Sequence, residues 1–317
     1  SYLGSDWKLA CWFGRGSTRA QILKIKKDMS PIAFAKNYGG EWTGSVTDAL
    51  VSINKLLDCR NLTKPVLETE DPEDEYYIGV DVARSEHSNN NQSSIIPVRV
   101  RRDASGRIKH IDVVNVYTTS SIVNFSSQAI LVKQIARDYN ARAVIVDGNG
   151  LGSGLIDELL KETIDPMTGR SLGCWATINT QNQPEKLNSP KMVYDLKAQG
   201  YQSRIITTFI DMVTSKKLRL LESQNINAIK VGDKADYDSK VLPFVQTDLL
   251  IEEISNLKLV NIRGGLTVQR VVSNVDKDRF SALSYVLFYI NEYCESYEDE
   301  SFNMGAITSL TRKPKIR

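Results

Sequence analysis

Tyr77-Ile78-Gly79-Val80-Asp81-Val82-Ala83 is the stretch on which the reading of this chain turns. A short apolar run ends abruptly in a carboxylate. A carboxylate is expensive to leave in a core, so it must be solvated, paired or bound to a cation. Ala143-Val144-Ile145-Val146-Asp147-Gly148 repeats the pattern, and Asp276-Lys277-Asp278-Arg279-Phe280-Ser281-Ala282-Leu283 places acids at the head of an apolar-faced segment. Taken singly, an Asp at a strand end is more often a turn former or helix cap than a ligand. The order says more. After the strand ending in Asp81 come strand-like runs at 94–100 and 108–117, a helical spacing over 126–139, and the strand ending in Asp147, which together predict a βββαβ unit.

Composition bounds the rest. A chain of 317 residues, 41% hydrophobic and 25% charged, can bury one sizeable core with an appendage, or two modest ones. No apolar run approaches the roughly 20 residues that span a bilayer. The opening Ser1-Tyr2-Leu3-Gly4-Ser5-Asp6-Trp7 lacks the basic and apolar blocks of a signal peptide. A cytoplasmic site of action without a membrane partner is the expectation. Four scattered cysteines (Cys11, Cys59, Cys174, Cys294) and two histidines (His87, His110) form no CxxC or Cys/His cluster, which argues against structural zinc. A net charge of +2 gives no global nucleic-acid footprint, although Arg99-Val100-Arg101-Arg102 and Lys313-Pro314-Lys315-Ile316-Arg317 could still meet phosphates.

Along the chain, residues 1–75 read as a small helical appendage plus linker. They carry a Ser30-Pro31 helix start, a helix-like run over 46–57 and the acidic stretch 68–75. The main domain is expected over 76–296, with a flexible tail at 297–317. Within it, 174–178 reads as a strand and 191–215 as one long helical stretch. Arg263-Gly264-Gly265 between two apolar runs is a hairpin signal. Leu283, Val286, Leu287, Ile290 and Cys294 mark one face of a closing helix. Asp147-Gly148-Asn149-Gly150-Leu151-Gly152-Ser153-Gly154 reads either as a tight strand-to-helix turn or as a phosphate cradle. Its alternating glycines miss the G-x-G-x-x-G fingerprint, and no G-x-x-x-x-G-K-[ST] occurs anywhere in the chain.

With these residues in place, the chain resembles the C-terminal nuclease domain of the large terminase subunit of tailed bacteriophages. Gly79 to Arg84, the Val146 to Gly152 turn and Lys277 to Leu283 carry the resemblance, which spans about residues 76–295. Ser30 to Tyr38 resembles the segment that closes the family's ATPase domain, so the chain is expected to hold the nuclease without the motor. The resemblance implies an α/β, RNase H-like fold: a central mixed β-sheet flanked by helices, with carboxylates at one edge. It implies metal-dependent cutting of concatemeric viral DNA in the host cytoplasm, at the procapsid. Double-stranded DNA is the implied substrate, with portal protein and small terminase subunit as partners of the full-length protein. In one departure, Ser88-Asn89-Asn90-Asn91-Gln92-Ser93 is uncharged where many relatives carry a further acid.

The residue chemistry runs parallel. Phosphodiester hydrolysis needs an attacking hydroxide and neutralisation of developing charge, which two metal ions about 4 Å apart can supply. An all-acid site without histidine suits Mg²⁺ or Mn²⁺. Asp81 is expected to bridge both ions, Asp147 to bind one and Asp278 the other, with Asp276 as the rival of Asp278. Lys277, Arg84 and the Arg263 hairpin tip are candidates for phosphate contact. Two other classes fit parts of the pattern: a resolvase- or transposase-type RNase H-like enzyme, and an actin-like nucleotide-binding protein, which would need a second phosphate loop.

Overall fold

The computed structural model describes residues 48–82, 92–120, 124–224, 229, 231–263, 265–273 and 275–294. The Ser30 to Tyr38 pattern, Arg84, residues 88–91, Cys11, His87, Gly264 and the tail beyond 294 lie outside the described residues.

The elements run α1 (Ile53–Asp58), β1 (Arg60–Leu62), β2 (Glu75–Asp81), β3 (Gln92–Arg102), β4 (Ile108–Val113), β5 (Tyr117–Ser120), α2 (Phe125–Asp138), β6 (Ala143–Asp147) and α3 (Leu151–Leu159). They continue through β7 (Thr163–Ile164), β8 (Ser171–Gly173), β9 (Ala176–Thr177), β10 (Lys191–Leu196), α4 (Ala198–Thr214) and β11 (Leu218–Leu221). The last are α5 (Lys234–Lys240), α6 (Leu242–Ser255), β12 (Leu257–Ile262), β13 (Gly265–Arg270) and α7 (Asp278–Tyr293). One mixed sheet has the order β1-β11-β4-β3-β2-β6-β10-β9, with β5 also on β3. Its centre is an antiparallel meander, β4-β3-β2, continued by β6 and β10 parallel to β2. Helices α2 and α3 make the crossovers that parallel pairing requires. This is the RNase H-like arrangement.

Strand parity divides the core. Ile78, Val80, Val144 and Val146 face α2 and α3, packing with Val132, Ile135, Leu155 and Ile156. Tyr77, Ala143 and Ile145 face the other way, onto Phe209 of α4 and Leu283, Val286, Leu287 and Ile290 of α7. Because side chains alternate along a strand, Asp81 and Asp147 fall on the α7 side. Full burial of each large apolar side chain contributes about 1.5–3 kcal/mol, so the α7 stripe anchors that helix firmly. Among the described residues no helix is long and apolar enough to cross a membrane, and Cys59, Cys174 and Cys294 are free and buried.

Four local expectations need correction. The run 191–215 is a strand followed by a helix, with only Lys197 between them; no Gly or Pro marks the junction. The run 108–117 is interrupted at 114–116, where Asn115 Oδ1 accepts the Val116 N–H at 2.8 Å, so β4 and β5 follow one another along β3. Helix α1 is short because Ala49 bridges Lys258 and the Leu50 N–H donates to the Leu257 carbonyl at 2.9 Å, holding residues 49 and 50 against β12. The strand at 174–178 narrows to Ala176–Thr177 at the sheet edge. Ahead of the acidic stretch, β1 pairs parallel with β11, so residues 60–62 form part of the same sheet.

Candidate active site

Adjacent parallel strands deliver the first two acids. Gly79 pairs with Ile145 and Val80 with Val146, so Asp81 and Asp147 leave the sheet side by side on the face covered by α7. That helix lies unusually close to β2. A β-carbon at Gly79 would stand 2.0 Å from the Ala282 carbonyl oxygen, so glycine two residues before Asp81 is what lets the helix approach. Asp278 opens α7, and Ser281 and Tyr285 follow at offsets of three and seven, on the same face of the helix.

The contacts around each acid differ. Asp147 Oδ1 accepts from the Asn149 side chain at 2.8 Å, the Asn149 N–H at 3.2 Å and the Ala198 N–H at 3.2 Å. The Tyr285 hydroxyl lies near enough to the Asp147 carboxylate, and the Ser281 hydroxyl to Asp81 and Tyr285, for each to act on the other's ionisation. Asp278 Oδ2 accepts the Gln92 N–H at 3.4 Å. Burial pushes Asp81 up to about 7; the charge on Asp278 and then that on Asp147 add to the rise, against Lys277 and a Ser281 hydrogen bond. Burial, helped by Asp276, also raises Asp278, against the Gln92 N–H, Lys277 and Arg279. Asp276 is raised by burial, and Arg270 and Arg279 pull it back. Burial lifts the Tyr285 phenol, with Asp81 and Asp147 adding to the effect.

The charges are coupled: Asp278 and Asp147 both act on Asp81, and Asp276 acts on Asp278. Among the described residues no three acid, imidazole or thiol groups converge on one point. The donor set is entirely oxygen, suited to hard divalent cations, and the burial and neighbouring charge that raise Asp81 are what a bound cation would offset. The residues therefore fit a divalent ion on donor chemistry and on charge.

Sequence reasoning missed several supports. Ser281 and Tyr285 were visible in principle by projecting the helix from Asp278. Glu253 of α6, 2% exposed, was not. Its Oε1 accepts from Arg279 Nη1 at 2.5 Å and its Oε2 accepts the Phe280 N–H at 3.0 Å, so it caps α7 in place of an N-cap side chain. Arg279 Nε also donates to Gln246 at 2.9 Å. Asp195, on the strand misread as helix, lies on the opposite sheet face and pairs with Lys197 at 2.9 Å. Lys197 Nζ also donates to the Gly148 carbonyl at 3.1 Å. A β-carbon at Gly148 would stand 1.8 Å from Asp195 Oδ1, and Gly150 has φ of 60°. The glycine turn is thus explained by packing and backbone conformation, as a strand-to-helix turn.

No protein-family model and no curated protein sequence matches the chain. Among solved structures, the magnesium-bound large terminase nuclease from thermophilic phage G20c aligns over 77% of this chain and 98% of its own, at 14% identity and a TM-score of 0.45. The cobalt-bound form of the same nuclease gives the same values. The large terminase nuclease domain of Thermus phage P74-26 aligns over 76% of this chain and 94% of its own, at 13% identity and a TM-score of 0.43.

Proposed function

We propose that this chain is a divalent-metal-dependent DNA endonuclease that cuts concatemeric viral DNA during genome packaging. The observation that supports the reading is that Asp81 and Asp147 end adjacent parallel strands on the face covered by α7, where Asp278 opens that helix, and that the charges of Asp278 and Asp147 both act on Asp81. Asp81, Asp147 and Asp278 would hold Mg²⁺ or Mn²⁺, with Asp276 at the margin. Bound there, the ions would supply an activated water and neutralise charge developing on the phosphate and the leaving 3′ oxygen.

The chain's own residues do the positioning. Asn149 and the Ala198 N–H fix one oxygen of Asp147, so its carboxylate cannot swing freely. Tyr285 and Ser281 of α7 bring hydroxyls near Asp147 and Asp81. Glu253 and Arg279 hold the first turn of α7, and with it Asp278. Lys277, exposed beside Asp278, is placed to meet a phosphate oxygen. Arg263, in the turn of the β12–β13 hairpin, is a second cation for the DNA backbone. Such contacts are salt-dependent and tolerant of sequence. Double-stranded DNA is the proposed substrate. Portal protein and small terminase subunit are proposed partners of the full-length protein, at the procapsid in the host cytoplasm.

The test is relaxation and linearisation of supercoiled plasmid by the purified chain. Cutting with Mn²⁺ or Mg²⁺, silence in chelator and little sequence preference are expected. Relaxation indifferent to chelator contradicts the proposal.

A further inference from the structure

We propose that the cleft beside Asp147 receives a single unstacked nucleobase of the strand being cut, a subsite that rests on the nuclease reading and extends it. The cleft, about 190 Å³, lies between the first turns of α4, strand β13 and the start of α7. That is the space of roughly six bulk waters. It falls short of the ~300 Å³ at which drug-sized pockets begin, and suits one planar heterocycle.

Its lining has the two characters that a base requires. Ile206, Val268 and Phe280 supply an apolar surface, while Gln199 and Gln202 bring amides to the same space. A base offers a flat face that stacks on apolar or aromatic groups and an edge that exchanges hydrogen bonds. Glutamine amides carry both donors and acceptors, so they can meet either kind of edge. Gln202 Nε2 donates to Thr267 Oγ1 at 2.8 Å, which orients that amide against the hairpin. Lys277 is the cation in the lining. A groove that only tracked phosphates would be cationic along its length, whereas this one has an apolar floor. Because Asp147 lines the same cleft, the captured base and the cut phosphate belong to neighbouring positions on one strand.

The experiment needs no cleavage. The chain is mixed, in chelator, with a duplex carrying 2-aminopurine at every adenine, whose fluorescence rises when a base leaves the stack. In parallel, 5-iodouracil DNA is photocrosslinked and the adducts are mapped by mass spectrometry. Expected are a fluorescence rise over free duplex, since a base held in the cleft has left the stack, and adducts on the peptide holding Phe280 and Tyr285. Both should be lost in Gln202→Trp and in Gln199→Trp, which fill the cleft from exposed positions, while DNA retention on a filter persists. DNA bound without a fluorescence rise, with adducts confined to Lys277 or Arg263, overturns the base subsite and leaves the nuclease reading standing. A rise that persists in both tryptophan variants also overturns it. A rise and adducts as expected, in a chain that never cuts with Mn²⁺, support the subsite and defeat the nuclease reading. Failure to bind DNA at all defeats both.

Discussion

Glu253 and Arg279 form a buried ion pair, 2.5 Å between Oε1 and Nη1, directly beneath the first turn of the helix that begins with Asp278. Burial pushes Glu253 up to about 7, with Arg279 drawing it back down. Its other oxygen holds the Phe280 N–H, so one side chain serves both a buried cation and a helix end.

Removing that carboxylate leaves a buried guanidinium and an unpaired backbone N–H. Glu253→Ala should therefore cost about 3–5 kcal/mol, the range for breaking a buried pair, read from urea melts. Glu253→Gln keeps an acceptor for Phe280 and should cost less. In both variants Mn²⁺-dependent cleavage should fall further than DNA binding, because Asp278 loses its support while phosphate contacts do not. Melts and cleavage equal to wild type for Glu253→Ala would show that α7 is held by other means.

Gly79→Ala tests the close approach of strand and helix. The added β-carbon would meet the Ala282 carbonyl oxygen at 2.0 Å, and backbone cannot step aside as a flexible side chain can. Overpacking of this kind costs about 1–3 kcal/mol, and the shift of α7 should carry Asp278 away from Asp81. The expected result is a folded, less stable protein with little cleavage. Wild-type cleavage in Gly79→Ala would show that the spacing of Asp81 and Asp278 is not critical.

Tyr285→Phe removes the hydroxyl near the Asp147 carboxylate and leaves the ring. A hydrogen bond to a charged group contributes about 1.5–3 kcal/mol, so if that hydroxyl orients the carboxylate cleavage should drop roughly 10- to 100-fold. DNA affinity should hold. A loss of DNA affinity equal to the loss of rate would assign Tyr285 to substrate contact instead.

How far the sequence foretold this site depends on how local each signal was. The positions of Asp81 and Asp147 at strand ends, and of Asp278 at a helix start, were legible because the first two stand where an apolar run stops and the third where one begins. The meander and α7 were legible from clean periodicity. Strand β10 was hidden because Tyr194-Asp195-Leu196 runs through Lys197 into Ala198 with no turn residue, and Asp195 was lost with it. Glu253 could not be found, since it is tied to Arg279 and Phe280 only by tertiary packing across 26 and 27 residues. The glycine turn left two readings open in the sequence, and close packing against Asp195 accounts for Gly148.

The metal-free protein should lose stability as pH rises. Asp81 is raised from 3.8 to about 7 in the fold, so the native state holds a proton that the unfolded chain releases near pH 4. Stability is then greatest below about pH 4 for this group and declines until pH passes 7. Glu253, raised from 4.5 to about 7, tilts the curve the same way. Thermal melts in chelator between pH 5 and 8 should therefore slope downward. Asp81→Asn should flatten part of that slope and raise the melting temperature at pH 8. Added Mg²⁺ should restore stability to the wild type and not to Asp81→Asn. An unchanged slope in Asp81→Asn would contradict the clustered-carboxylate account.

The relative weight of the acids separates Asp278 from Asp276. Asp81→Asn should abolish cleavage, and Asp147→Asn and Asp278→Asn should each cost at least roughly a hundredfold. Asp276→Asn should cost less, since Asp276 acts on the cluster from beyond Asp278. Rates on a labelled duplex in Mn²⁺ decide it. A dead Asp276→Asn beside a near-normal Asp278→Asn would move the third ligand by two residues.

The most direct measurement is anomalous scattering from crystals soaked in Mn²⁺. The account requires peaks in contact with Asp81, one shared with Asp147 and one with Asp278, all absent from Asp81→Asn crystals soaked in the same way. Manganese bound elsewhere, or a site beside Asp81 left empty at concentrations that support cleavage, would contradict the claim that these carboxylates form a metal-dependent nuclease centre.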